Sequence, residues 1–385
     1  MNKLFRITTD PNSLEFLLKG QLSFMKQYYD ITVISSNKEH LRKIGIAEGV
    51  NYYSVDFTRK ITPLKDLKAL YQLYRFFIKE KPHIVHTHTP KAGLIGMLSA
   101  YLSKVPNRLH TVAGMPLMET VGLKRKLLNI TEMITYKCAH RIYPNSKGLY
   151  DIILKYKFCY ENKMKIIGKG SSNGINTSYF SPALYSNEHK KRIKDNLNIF
   201  LKDRVFCFIG RLVKDKGINE LVQTFIIINN EFPYTKLLLV GPIERELDPL
   251  LHETEIEIHN HHSIIFVGPQ EDVRPFLSVS DIFVFPSYRE GFPNVVMQAG
   301  AMELPCIVTN INGCNEIIED GVNGLIIPPK NKEQLKAKMQ LLLEDDILRD
   351  QLKLNARSMI TSRYEQKMVW DALLAEYKSL ENENV

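Results

Sequence analysis

A chain of 385 residues has room for two domains of ordinary size, and 44% hydrophobic with 24% charged residues is the balance of a folded globular protein. Five cysteines (Cys138, Cys159, Cys207, Cys306 and Cys314) form no C-x-x-C pair, which excludes a disulfide scaffold and a zinc ribbon and points to reduced thiols in the cytoplasm. Charge is uneven: residues 1–185 hold 28 Lys and Arg against 12 Asp and Glu, a net of +16, whereas the rest hold 23 against 30, a net of −7.

A half that basic calls for an anionic partner. No zinc-finger, RRM or helix-turn-helix signature is present, so no nucleic acid partner is expected. The opening M-N-K-L-F-R-I-T-T-D has no apolar core of signal-peptide length, and no run approaches the roughly 20 residues that span a bilayer.

Leu4 to Thr8 forms a strand, and Asp10-Pro11-Asn12-Ser13 a turn. Asn12 and Glu15 have capping-box spacing before a helix with apolar Leu14, Leu17, Leu18, Leu22 and Met25. Lys19-Gly20-Gln21 falls on its solvated face. Ile31 to Ser35 is a second strand, so the chain opens β-α-β, the start of a doubly wound parallel sheet. A helix spans Lys65 to Lys79. His83 to Thr89 is a strand entering P-K-A-G and a helix from Ala92 to Leu102. His86 and His88, two apart, share one strand face; a metal would need a third ligand, and none stands at useful spacing. Arg108 to Val112 is a strand followed by A-G-M-P-L-M-E-T. Met115, Leu117, Met118 and Leu123 look exposed, and Lys124-Arg125-Lys126 follows them. That mixture suits either shallow contact with an anionic membrane or an ordinary packed loop and helix. Ala139 to Pro144 is a strand, Ser146 caps a helix to Lys155, and Lys163 to Gly168 is the last strand of the first sheet. A hinge is expected over 181–200.

Arg204 to Gly210, R-V-F-C-F-I-G, is a continuous apolar strand, as in a sheet covered on both faces. It delivers Gly210 to Gly217, G-R-L-V-K-D-K-G, and a helix from Ile218. Arg211 and Lys216 then converge beside a helix start, which suits a diphosphate. Lys236 to Gly241 and Ser263 to Gly268 are further strands, with His259, His261 and His262 on a solvated loop. Asp281 to Pro286 is a strand into the polar turn Ser287 to Gly291, and Pro293 suits the first position of a helix. Glu290 therefore stands on a loop at a strand's carboxyl end, where open α/β sheets bind ligands. Cys306 to Thr309 and Gly324 to Ile327 complete the alternation. Three helices close the chain, the last amphipathic from Tyr364 to Leu380.

Ser287 to Pro305, S-Y-R-E-G-F-P-N-V-V-M-Q-A-G-A-M-E-L-P, resembles the signature of the retaining GT-B glycosyltransferases of family 4 (GT4). That signature has two glutamates separated by seven residues; Glu290 matches the first, and Gln298 replaces the second. Gly210 to Gly217 resembles the family's G-R-x-x-x-x-K-G. His86, His88, Pro90, Lys91 and Gly93 resemble the members that build bacterial surface glycans. The resemblance covers most of the chain. It implies an α/β, GT-B fold of two Rossmann-like domains facing each other across a cleft. Residues 1–185, joined by the last helix at about 364–385, would bind the acceptor, and 200–363 the nucleotide sugar. It implies that Arg211, Lys216 and the helix after Glu290 stabilise the leaving diphosphate. Glu290 would orient the donor sugar, and Gln298 would bind the ribose through an amide that both donates and accepts. Gly210, Gly268, Pro269, Gly291, Phe292, Pro293 and Asn294 would line the donor, and His88, Lys91 and Glu119 would meet the acceptor. No protein nucleophile, metal or other cofactor is expected.

The chain departs from the pattern in three further places. The first strand has no glycine-rich loop after it, Ala113 stands where many members carry histidine, and Asn176 where aspartate is usual. The expected donor is a UDP-N-acetylhexosamine or UDP-hexose. The expected acceptor is a polyprenyl-diphosphate-linked glycan of capsule, O-antigen or a related surface polysaccharide. The basic N-terminal half would rest on the anionic inner face of the cytoplasmic membrane. One alternative is a GDP-mannose-dependent mannosyltransferase. The other, prompted by Ala113 and Gln298, is a catalytically silent nucleotide-sugar-binding partner of a glycan-assembly complex. An epimerase would need cleft carboxylates, and a phosphorylase a cofactor lysine; the sequence offers neither.

Overall fold

A computed structural model describes residues 1–58, 62–115, 117, 120–246 and 248–383. The chain divides into two compact units, Met1–Gly174 with Gln366–Val385, and Ile175–Glu365. The first holds strands β1 (Lys3–Ile7), β2 (Asp30–Ser35), β3 (Asn51–Ser54), β4 (Ile84–Thr87), β5 (Asn107–Val112) and β6 (Arg141–Pro144). The second holds β7 (Arg204–Ile209), β8 (Thr235–Val240), β9 (Ile264–Gly268), β10 (Ile282–Phe285), β11 (Cys306–Thr309) and β12 (Gly324–Ile327). Their orders are β3-β2-β1-β4-β5-β6 and β12-β11-β10-β7-β8-β9, with every pairing parallel. Numbered within its own sheet, each has the same winding. The order reverses between β1 and β4 in one, and between β7 and β10 in the other. At a reversal the segments after the two strands turn to opposite faces of the sheet, and a crevice lies outside the strands' carboxyl ends.

The strands around these reversals differ in composition. In β7, Val205, Phe206, Cys207 and Phe208 are fully buried, as are Phe283 and Val284 of β10. Each such phenylalanine contributes about 1.5–3 kcal/mol by leaving water. In the first unit, β1 buries Arg6 completely, β4 buries His86, and β5 buries His110.

Several elements differ from expectation. Asp10, not Asn12, caps the first helix, accepting from Asn12 N, and that helix stops at Leu17. Gly20 at φ +78 breaks the expected continuous helix and starts a second, Gln21–Met25. Gln21 is buried rather than solvated, its amide donating to Ser172 O (3.0 Å) and Asn173 Oδ1 (3.1 Å). The helix Lys38–Glu48 and β3 were not anticipated; β3 is a half-exposed edge strand, N-Y-Y-S, with no apolar run to betray it. Residues 163–168 form no strand: Met164 makes a single bridge to Ile142, and the sheet ends at β6. Phe180 and Tyr185 are buried in the second unit's core, so the boundary falls at Gly174/Ile175, before the expected hinge. His259 lies in a helix, His252–Asn260, not a loop. Met115 and Leu117 are buried, whereas Leu123 is exposed. The last helix, Gln366–Glu383, packs Leu373, Leu374, Tyr377 and Leu380 into the first unit's core beside Leu4 and Ile31.

Candidate active site

The reversal in the second unit brings together the loops after β7 and β10. Gly217, at φ +71, lets them close: a Cβ there would lie 2.2 Å from the carbonyl oxygen of Pro286. The loops are then stitched. Tyr288 N donates to Asp215 O (2.8 Å), and the Arg289 guanidinium pairs with Asp215 Oδ2 (2.7 Å). The Thr309 hydroxyl donates to the Ser287 carbonyl.

Within this frame the Lys216 ammonium pairs directly with Glu290 Oε1, which also accepts from the Ser287 hydroxyl (2.9 Å). Both members of the pair are only 15% exposed. A charge pair so shielded is felt more strongly than one in open water. Glu290 Oε2 has no partner among the described residues, so the carboxylate is anchored through one oxygen and open at the other.

The other residues expected on the donor side differ in their placement. Arg211 does not converge with Lys216: it is exposed and pairs with Glu244. Pro293 is the N-cap rather than the first helical residue, and the helix Asn294–Ala301 begins with no side-chain cap, leaving first-turn N–H groups for an anion. Phe292 is buried, edge-on to Tyr364 at 5.3 Å, and Gly291 and Pro293 are buried beside it. Gln298 is partly exposed one turn into that helix, with no partner for its amide among the described residues. The Gly268 carbonyl accepts from Gly241 N (2.8 Å), and Pro269 is exposed just past β9. Gly210 follows β7 directly, beside Arg211.

The acceptor-side residues fare differently. Lys91 is committed within its own unit, pairing with Asp66 (2.8 Å) and donating to Thr58 (2.9 Å), because the helix it opens packs beside the one carrying Asp66. His88 is 5% exposed and accepts a hydrogen bond from Arg6 Nε (3.0 Å). Glu119 lies outside the described residues.

The comparisons bear on both units. A family model described as "Glycosyl transferases group 1" matches residues 189–359, and one described as "Glycosyl transferase 4-like" matches 12–155. The chain is 32% identical over 383 residues to the capsular polysaccharide biosynthesis glycosyltransferase CapM of Staphylococcus aureus, covering 99% of this chain and 98% of that one. The protein belongs to this glycosyltransferase family. It is also 30% identical to the Escherichia coli UDP-Gal:alpha-D-GlcNAc-diphosphoundecaprenol alpha-1,3-galactosyltransferase, over 80% of this chain and 78% of that one. A glycosyltransferase from Rickettsia africae superposes with a TM-score of 0.80 at 20% identity, over 98% of both chains, and shares the GT-B fold.

For this glycosyltransferase the loop positions of Lys216 and Glu290 were legible in the sequence. Arg6, Gln21 and Tyr377 were not, although they form a hydrogen-bonded cluster with His88 and His86. The one available signal was an arginine set inside the apolar strand K-L-F-R-I. Among the described residues no three His, Cys, Asp or Glu side chains come together in the manner of a metal site.

Proposed function

We propose that this glycosyltransferase moves a sugar from a UDP-sugar to a polyprenyl-diphosphate-linked glycan, with retention of configuration and without a metal. The observation that carries the reading is the Lys216–Glu290 pair at the reversal of the donor-side sheet. A diphosphate entering beside it would draw the ammonium toward its own charge and free Glu290 for the sugar hydroxyls. Lys216, Arg211 released from Glu244, and the uncapped helix start at Asn294 would then stabilise the charge that grows as the diphosphate leaves. The bond from the anomeric carbon to the phosphate oxygen breaks, and a bond to the acceptor oxygen forms on the same face. The acceptor proton passes to the departing phosphate, so no protein nucleophile is required. Gln298 offers the ribose a donor and an acceptor. The printed activities of the capsule and undecaprenol-linked relatives support a lipid-linked acceptor.

The same reading places the enzyme on an anionic membrane surface. On the helix Gly122–Cys138, Leu123, Leu127, Ile130 and Met133 are exposed at helical spacing, with Lys124, Lys126 and Lys137 among them. Ile130, Met133 and Ile134 also line an apolar groove of about 790 Å³ with Phe158 and Tyr160. No helix among the described residues is long and apolar enough to cross a membrane, so attachment would be peripheral.

The test is UDP release by purified protein from mixed UDP-sugars and a short polyprenyl-diphosphate sugar. Release that requires the acceptor, and is lost in Glu290→Ala and Lys216→Ala, supports the transferase. Donor binding without turnover across a broad acceptor panel favours the silent-partner reading.

A further inference from the structure

The first unit's own reversal, between β1 and β4, carries a second constellation. Arg6 of β1 is fully buried and has no carboxylate partner among the described residues. Its Nε donates to His88 Nε2 (3.0 Å), one terminal nitrogen to the Tyr377 hydroxyl (3.1 Å), and the other to Gln21 Oε1 (2.6 Å). A guanidinium has donors only, so each contact fixes its partner's role. His88 Nε2 must accept, which puts the His88 proton on Nδ1. The Tyr377 hydroxyl, accepting from Arg6, also meets His86 Nδ1 at 2.5 Å, and His86 Nε2 faces the Thr111 hydroxyl at 2.8 Å.

Burial, then Arg6 and His110, hold His88 well below the ordinary histidine range; burial, then His88, Arg6 and His110, do the same for His86. Burial also pushes the Tyr377 hydroxyl up to about 12. Tyr143, 5.6 Å from the His86 ring and hydrogen-bonded to Glu376 (3.2 Å), completes the titratable surroundings. The imidazoles are therefore neutral groups of fixed polarity.

One donor in this network is left over: His88 Nδ1–H has no partner among the described residues. His88 lines a small cavity of about 20 Å³ with Asn145, Ser171 and Ser172. That is room for a single oxygen, since a water needs roughly 10–15 Å³ on this measure. Asn145, 6% exposed, closes one side with its Nδ2 reaching Ser172 Oγ at 3.4 Å, and Val369 and Leu373 of the last helix close another. A leftover donor beside a one-oxygen space matches an oxygen that accepts.

We propose that this cavity seats one hydroxyl oxygen of the acceptor sugar, which accepts a hydrogen bond from His88 Nδ1, with Arg6 the positioning residue that fixes the His88 tautomer. The inference rests on the first unit being the acceptor side. An ordered water has the same chemistry, and substrate analogues separate the two. The probes are whichever short polyprenyl-diphosphate sugar supports turnover in the UDP-release assay, and its singly deoxygenated analogues. With wild type, one analogue should lose about 30-fold in kcat/KM, the order expected when one buried donor loses its partner. In His88→Leu the parent acceptor should drop by a similar factor, the same deoxygenation should then cost less than about twofold, and the donor KM should be unchanged. Deoxygenation effects that all multiply with His88→Leu would mean that the cavity holds only water, and would overturn the proposal.

The positioning role has its own readout. In ¹⁵N spectra of labelled histidine, His88 should show an unprotonated Nε2 from pH 6 to 8. In Arg6→Met the tautomers should mix, and kcat/KM should acquire an acid limb. An Nε2–H signal in wild type overturns the assignment even if Arg6→Met fails to fold. Absence of turnover with every acceptor would defeat the transferase reading and leave the tautomer measurement standing.

Discussion

Two sheets wound in the same order place different chemistry at the same topological point. Around β7 and β10 the strands are apolar, and the charges stand on the loops beyond them, where Lys216 and Glu290 hold each other. Around β1 and β4 the polar groups are inside the fold: Arg6 is hydrogen-bonded to His88 and Tyr377, and Tyr377 to His86. The first arrangement can exchange an internal ion pair for a charged ligand. The second holds one buried guanidinium among neutral donors and acceptors and keeps them in fixed directions. Shared topology thus supplies the location, and local polarity decides what the location can bind.

The largest effect should come from the exchangeable pair. Glu290→Gln and Lys216→Ala should each cost about 100–1,000-fold in turnover, the scale of removing one preorganised electrostatic group. Their unfolding midpoints should barely move. A large loss of stability instead would make the pair a structural tie, and the contrast between the two reversals would fail.

The next prediction concerns acid. Burial takes His110 from 6.5 to about 3. The unfolded chain therefore takes up a proton that the folded chain refuses. Stability is complete above about pH 6.5 and is lost as pH falls toward 3, and from 6.5 to 5 this one group should remove about 2 kcal/mol. His86 and His88 act in the same direction. Among the described histidines of the second unit only His261 has a lowered value, so the first unit should unfold first on acidification. Hydrogen exchange resolved by unit, in wild type and His110→Asn, checks this; equal acid sensitivity of both units would contradict it.

These contrasts also explain what the sequence disclosed. The second unit was legible because its strands are unbroken apolar runs and its site lies on short loops with glycine, proline and charged residues at fixed spacing. Glu290, Lys216 and Gln298 could be placed from those spacings, but Arg211's diversion to Glu244 could not, because two exposed loops settle it. The first unit was legible in outline only. Its polar residues are those usually assigned to the surface or to a ligand: the sequence puts Gln21 on a solvated face and Lys91 against the acceptor, whereas partners distant in sequence, Ser172 and Asp66, claim them. The edge strand β3 carries too little apolar patterning to be seen, and Gly20 breaks a helix whose periodicity looks continuous.

A smaller effect should follow from Gly217→Ala. Its left-handed backbone and the Pro286 carbonyl 2.2 Å from any Cβ force the two loops apart, for about 1–2 kcal/mol of stability and roughly tenfold in turnover through displaced Lys216. Unchanged turnover would show that the register of the loops does not govern the site. The smallest effect is expected at Gln298. Replacement by Ala should weaken donor binding about fivefold, the scale of one hydrogen bond, while Gln298→Glu should leave it unchanged in titration calorimetry. Equal affinity in all three proteins would remove Gln298 from the donor site.

The central claim is a transfer in which donor and acceptor exchange on one face of the sugar. The most direct measurement is the proton NMR spectrum of the first-formed product from a UDP-sugar and a short polyprenyl-diphosphate acceptor. The account predicts a new glycosidic linkage with the anomeric configuration of the donor, absent with Glu290→Gln. A product of opposite configuration would contradict it.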